Sequence, residues 1–379
     1  MTTGSAISTE IPLVVARGSA AEQGAAIGEQ TAEKIRAALE IYRHRFRDEV
    51  GLTDEDQRRL GEVYGNIIAD FSPATGEMLA TMAESAGVSR ESVYLLNARS
   101  EVLYGTVGQI EADGACTTAA VLGTHTADGR TYLLQNWDWR FNLNDQLYIL
   151  ATEDLDGLQI LTLAEAGMTA KAGLNSHGVA VGLNLLASDR NSKTPGVPVH
   201  IMLREILRQP RLSAAIKVAL QADREGSANV LLASHEHDAI DLEFISDDFA
   251  HHLPENGVIT HANHFQTRRG WKDLYVANAA FTLLRDYRLR SRLTAHGSAL
   301  TPAAMQEALS DHSSYPDSVC RHVDPEVETD AQVATLCSLI IDTSGELIRV
   351  YSGNPCEATS ADYSFDTFFS ATSHRLDNP

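Results

Sequence analysis

Five strand–turn–strand units in the later part of the chain constrain its fold more than any other feature. Residues 117–122 and 131–135 flank Ala127-Asp128-Gly129-Arg130. Residues 147–152 meet 158–163 across Asp156-Gly157, and 170–174 meet 179–183 across Asn175-Ser176-His177-Gly178. Residues 230–233 face 239–244, and 336–341 face 347–351 across Ser344-Gly345. Short apolar runs separated by Asp, Asn and Gly are a hairpin signal, because tight turns need residues that tolerate positive φ. Five antiparallel hairpins imply two sheets rather than one.

The first third reads as helix after a short apolar stretch at 11–16. Ser19 caps a helix over 20–42, with Ile27, Ile35, Ala38 and Ile41 on its apolar side. Thr53, followed by Glu55 and Asp56, opens a second helical region, since acids favour a helix N-terminus. Ser72-Pro73 opens 74–86 and Ser89 opens 90–103. Later helices are expected at 199–208, 212–222 and 276–296, the first two parted by Pro210. No Gly/Ser- or Pro-rich linker and no long internal repeat divides the chain. The pattern predicts one α+β domain over residues 1–379, with helices covering the outer faces of two packed sheets.

Net charge narrows the partners. At −21 the chain lacks the clustered cations that bind phosphate backbones, so neither nucleic acid nor an anionic membrane surface is expected. No apolar run of about 18 residues occurs, which excludes a transmembrane helix. The first ten residues have no basic start and no apolar core, so no secretory signal is expected. Cys116, Cys320, Cys337 and Cys356 form no CxxC pair. Reduced thiols and a cytoplasmic location follow as expectations.

Chemistry points to Asp113-Gly114-Ala115-Cys116-Thr117-Thr118, where a turn leads into a cysteine at the first position of a strand. A buried structural thiol is the common fate of such a residue. A strand-start cysteine has another use. If the Ala115–Cys116 bond is cut, the new α-amine lies beside its own sulfur. Its ordinary pKa of about 7.7–8.0 suits a general base near neutral pH.

That motif, with Gln135-Asn136-Trp137-Asp138-Trp139 and Thr260-His261-Ala262-Asn263-His264-Phe265, resembles the N-terminal-nucleophile (Ntn) hydrolases of the isopenicillin N acyltransferase type. The formal family is acyl-CoA:6-aminopenicillanic acid acyltransferase, which also includes hydrolases of carcinine and β-alanyl-dopamine. Supporting pieces are Leu96-Asn97-Ala98-Arg99, Gly173-Leu174-Asn175-Ser176-His177-Gly178, Asp311-His312, Ser318-Val319-Cys320-Arg321-His322 and Gly353-Asn354-Pro355. The likeness spans about residues 17–355.

The resemblance implies an αββα sandwich and self-cleavage before Cys116, giving a small chain 1–115 and a large chain 116–379 that stay associated. It implies Cys116 as nucleophile, with Thr118 close to it in the same motif. Asp138 is implied to support processing and orient the amine. Asn263 is implied to donate from its side-chain amide to the oxyanion. No metal or organic cofactor is called for. Two departures stand out. Ala115 replaces the usual Gly before the cysteine, and Gln332 stands where the acyltransferase carries an arginine.

Outside the resemblance, Asp138 reads equally as a polar residue at a sheet edge and Asn263 as a turn asparagine. His261 and His264 read as satisfied structural histidines. Ser234-His235-Glu236-His237-Asp238 resembles a metal cluster but falls at a hairpin tip, where polar residues collect for solvation. Cys320, Cys337 and Cys356 read as core or strand thiols. The basic run 285–292 reads as a solvated helix face, with capture of a substrate carboxylate as the alternative. Gly24 and Gly28 lack phosphate-loop spacing. The expected activity is hydrolysis of a small N-acyl or aminoacyl amide. Acyl transfer to an amine, with acyl-CoA as a possible donor, is the alternative, and an unprocessed ligand-binding protein is the third reading.

Overall fold

Apolar residues alternate onto both faces of the central strands, and a sheet of that kind must be covered twice. The computed structural model, which describes residues 11–105, 114–267 and 270–369, shows how. Asp113 and the segment 1–10 lie outside the described residues. The strands are β1 (Leu13–Arg17), β2 (Ala115–Val121), β3 (Tyr132–Arg140), β4 (Leu147–Glu153), β5 (Gln159–Glu165), β6 (Gly173–Asn175) and β7 (Val179–Leu185). They continue as β8 (Ala228–Ser234), β9 (Ala239–Phe244), β10 (Phe249–His252), β11 (Val258–His261), β12 (Val333–Asp342), β13 (Leu347–Ser352) and β14 (Ser360–Ser364). An eight-stranded sheet has the order β1-β4-β5-β6-β7-β8-β9-β10, and a six-stranded sheet the order β11-β2-β3-β12-β13-β14.

All five expected hairpins form. Gly129, Gly157 and Gly178 turn three of them with positive φ. The pairing is antiparallel except at β1, which runs parallel to β4. A parallel neighbour needs a long connection, and here the helical segment supplies it.

That segment comprises α1 (Ala20–Asp48), α2 (Asp54–Phe71), α3 (Pro73–Ala86), α4 (Arg90–Asn97) and α5 (Arg99–Gly105). Ser19, Thr53, Ser72 and Ser89 each cap a helix as read, the first two with reciprocal bonds to Glu22 and Asp56. With α6 (Val199–Leu207) and α7 (Leu212–Gln221), these helices bury Ile27, Leu79, Met202 and Ile206 against Leu150, Val181 and Val230 of the eight-stranded sheet. On the other side, α8 (Tyr275–Asn278), α9 (Phe281–Thr294) and α10 (Pro302–Leu309) precede the last hairpin, and α11 (Phe365–Phe369) ends the described chain. Leu289, Leu293 and Met305 pack on Val121, Leu134 and Ile340 of the six-stranded sheet. Between the sheets lies the third core, with Ala120, Leu133 and Trp137 against Leu161, Leu174 and Leu231. The result is the expected helix–sheet–sheet–helix sandwich. Among the described residues no helix is long and apolar enough to cross a membrane.

Candidate active site

Pleating assigns every residue around Cys116 to one of two compartments. Cys116 pairs with Trp137, and Ala115 with Asp138. Directly opposed side chains share a face, and successive ones alternate. Cys116, Trp137 and Trp139 therefore face the space between the sheets. Asp138 and Thr117 face α9.

Toward the sheet interior, Cys116 lines a pocket of about 820 Å³, its open mouth included. Trp137, Trp139, Leu183, Leu185, Val199 and Met202 make much of its wall apolar. Buried ionisable groups interrupt it, Lys171 and Glu101 among them. Lys171 Nζ lies 4.0 Å from the Trp137 ring centroid and 3.5 Å from Glu165 Oε2. Burial and the Arg99 guanidinium lower its pKa to about 7 against the pull of Glu165. Glu101 accepts from the Val199 N–H at 2.8 Å, and burial raises its carboxyl to about 8. Its other oxygen has no hydrogen-bond partner.

Cys116 is held by its main chain. Its N–H donates to Asn263 Oδ1 at 2.8 Å, and its C=O accepts from Arg285 Nη1 at 2.7 Å. Gly114 is anchored too, because the Tyr275 hydroxyl donates to its C=O. Burial, with the Asp138 carboxylate adding to it, pushes the Cys116 thiol up to about 12, so the sulfur of the uncut chain is protonated at neutral pH.

Arg285 corrects the reading of the basic run. It is only 1% exposed, not on a solvated face. Besides Cys116 it donates to Thr117 Oγ1 at 2.9 Å and Asn263 Oδ1 at 2.7 Å, and it lies 3.9 Å from Asp138 Oδ2. Arg288 and Arg292 instead pair with Asp311. A signal was present: 285, 289 and 293 follow helical spacing, and Leu289 and Leu293 are core residues. Lys171 carried no comparable signal.

Asp138 is fully buried and does not sit at a sheet edge, because β3 continues through it and β12 covers its other side. Its Oδ1 accepts from the Thr335 hydroxyl at 2.6 Å, while Oδ2 has no hydrogen-bond donor. Burial, opposed by Arg285, raises its pKa to about 6.

Asn263 presents its oxygen, not its nitrogen, to the Cys116 main chain. Nδ2 donates to the Leu185 C=O at 2.8 Å, and its second hydrogen has no acceptor among the described residues. Thr118 lies further along β2 on the Cys116 face, where it accepts from Asn184 Nδ2 at 2.6 Å. Asn184 also donates to Asn229 Oδ1 at 2.7 Å. Thr118 thus joins an amide chain between the sheets, away from the cavity lining.

Other readings sort cleanly. The strand opens at Ala115, one residue before Cys116. His261 is structural, bonded to Glu243 at 2.9 Å and to the Ala262 C=O at 2.7 Å. Gln332 donates to the Val327 C=O at 3.2 Å. His235 and His237 do occupy a hairpin tip, and His237 contacts Thr131 Oγ1 at 3.0 Å.

Known proteins resemble this chain to different degrees. A family model described as acyl-coenzyme A:6-aminopenicillanic acid acyl-transferase matches residues 124–357. The 40 kDa form of acyl-coenzyme A:6-aminopenicillanic-acid-acyltransferase from Emericella nidulans is 26% identical over 344 residues, covering 90% of this chain and 92% of its own. Penicillin V acylase from Agrobacterium tumefaciens superposes with a TM-score of 0.43 at 14% identity, covering 62% of this chain and 83% of the other. A variant of conjugated bile acid hydrolase from Clostridium perfringens gives 0.47 at 11% identity, covering 66% and 93%.

Proposed function

Because the chain belongs to the acyl-coenzyme A:6-aminopenicillanic acid acyl-transferase family, we propose that it is an autoprocessing cysteine Ntn hydrolase cleaving a non-peptide amide bond in a small N-acyl or aminoacyl amide. The observation that carries this reading is the placement of Cys116. Its side chain lines the cavity while its own N–H and C=O are held by Asn263 and Arg285.

Self-cleavage starts when Cys116 Sγ attacks the Ala115 carbonyl carbon. The C–N bond to Cys116 breaks, a thioester forms, and the departing nitrogen takes the thiol proton. Water hydrolyses the thioester, leaving a carboxylate on Ala115 and a free α-amine on Cys116. That amine keeps one hydrogen for Asn263 Oδ1 and directs another toward the unpartnered Oδ2 of Asp138.

Turnover repeats the chemistry on substrate. The amine takes the thiol proton, Sγ attacks the amide carbonyl, and the second Nδ2 hydrogen of Asn263 donates to the oxyanion. Losing such a donor costs roughly 10²–10³ in rate. The leaving amine takes the proton back, and water then resolves the thioester. Thr118, bonded to Asn184 away from the cavity, takes no part in either step. The largely apolar cavity wall favours an apolar acyl group.

The same thioester can be captured by an amine in place of water, and the acyltransferase relative favours keeping that second reading. Denaturing electrophoresis and intact-mass measurement test the first step: wild type runs as chains 1–115 and 116–379, Cys116→Ala as one. A single uncut wild-type chain with full amidase turnover would overturn the proposal. The partition of a thioester substrate between water and added amines separates hydrolysis from transfer.

A further inference from the structure

Away from the cavity, the loop following α10 and the turn following β13 bring two cysteines and two histidines together. We propose that His312, Cys320, His322 and Cys356 form a structural zinc site. Their four ligand atoms all lie within 4.8 Å of one another. Cys320 Sγ is 3.6 Å from Cys356 Sγ, and His312 Nε2 is 3.1 Å from His322 Nε2. The His322 nitrogen is 3.6 Å from Cys320 Sγ and 3.4 Å from Cys356 Sγ.

Four of the six separations are close to the edges of a coordination tetrahedron, and the two from His312 to the sulfurs are at most 4.8 Å. Zinc bonds of about 2.3 Å to sulfur and about 2.0–2.1 Å to nitrogen place two sulfurs about 3.8 Å apart, two nitrogens about 3.3 Å and a mixed pair about 3.6 Å. A Cys₂His₂ set suits zinc, whereas magnesium and calcium require oxygen ligands. A disulfide would need the sulfurs at about 2.05 Å and would leave both imidazoles without a role. The surroundings fit a bound thiolate as well. Asn354 Nδ2 donates to Cys320 Sγ at 3.4 Å and to the Arg321 C=O at 2.7 Å.

The site braces the back of β3. Asn136 donates to the Val319 C=O at 2.8 Å, and the Arg321 N–H donates to Thr335 Oγ1 at 2.9 Å. The Thr335 hydroxyl in turn donates to Asp138. The ion therefore positions Asp138 through Thr335, a consequence that alone rests on the function proposed above.

Elemental analysis of the purified full-length protein is expected to find one zinc per chain. Exchange with cobalt(II) is expected to give tetrahedral d–d bands and a thiolate-to-cobalt charge-transfer band. Cys116→Ala retains both signals, so they do not depend on self-cleavage. Cys356→Ser abolishes the charge-transfer contribution of one thiolate and lowers zinc content. His312→Ala, altered at the exposed ligand, keeps the fold and weakens zinc by more than about tenfold in chelator competition. Folded wild type that carries no zinc and gives no charge-transfer band with cobalt overturns the proposal. So does a Cys320–Cys356 disulfide in protein that, once reduced, still takes no cobalt.

Discussion

A guanidinium that donates to a main-chain carbonyl, a hydroxyl and a side-chain amide cannot be replaced by a point charge. Lysine at 285 keeps the charge but loses the fork. Each donor lost from a charged group costs about 1.5–3 kcal/mol. Arg285→Lys should therefore slow self-cleavage by tenfold or more, read from the time course of fragment appearance. Arg285→Met removes the charge as well. Without its opposite charge the Asp138 carboxyl rises above about 6, so the acid limb of the cleavage pH profile should move upward. A purely structural role would lower the rate and leave that limb in place. Cys116, Asp138 and Asn263 could be singled out because the motifs around them are contiguous. The face on which Asp138 stands could not, since strand β3 had to be seen to run on to Arg140.

His261 of β11 and Glu243 of β9 belong to different sheets, so their ion pair clamps one sheet to the other. Burial works against the imidazolium, but Asp241 and Glu243 outweigh it and raise the pKa from 6.5 to about 9. A raised folded-state value means the contribution is complete below pH 6.5 and is lost as pH climbs through 9. Its size is about 3 kcal/mol at most. The stability difference between wild type and His261→Gln, from urea melts, should shrink across that window. Using the difference removes the opposite trend of Lys171, whose pKa is lowered.

Two helix contacts are equally specific. A Cβ on Gly24 would lie 2.1 Å from the Met78 carbonyl oxygen, and one on Gly28 2.3 Å from that of Met82. These glycines let α1 and α3 touch, which explains a pair that fits no phosphate loop. Alanine at 28 gains about 1 kcal/mol of helix propensity. It must also displace a backbone atom, a strain of about 1–3 kcal/mol or more. A lower melting temperature for Gly28→Ala is expected. Elements missed in the sequence were short or interrupted. β10 and β11 have four residues each, too few for alternation to register. The helix read over 90–103 breaks at Ala98, where Asn97 turns its amide to the Gly167 C=O.

The cut proposed before Cys116 divides the molecule without unpacking it. Residues 11–105 supply β1, paired with β4, and five helices that share a core with the eight-stranded sheet. Arg99 also reaches Glu165 at 3.4 Å. The two chains should co-elute in native size-exclusion chromatography and separate only in denaturant; early loss of the small chain would contradict this. By itself the sequence determined the hairpins, the helix caps and the family, and singled out the segment carrying Cys116, because each depends on residues near one another in the chain. Only the tertiary structure decided which groups surround Cys116 and which cysteines meet histidines. Arg285 reaches Cys116 from a distant helix, and Cys356 joins His312 and Cys320 across a whole hairpin. Such meetings follow from how the sheets stack and the loops close, and no local period encodes them.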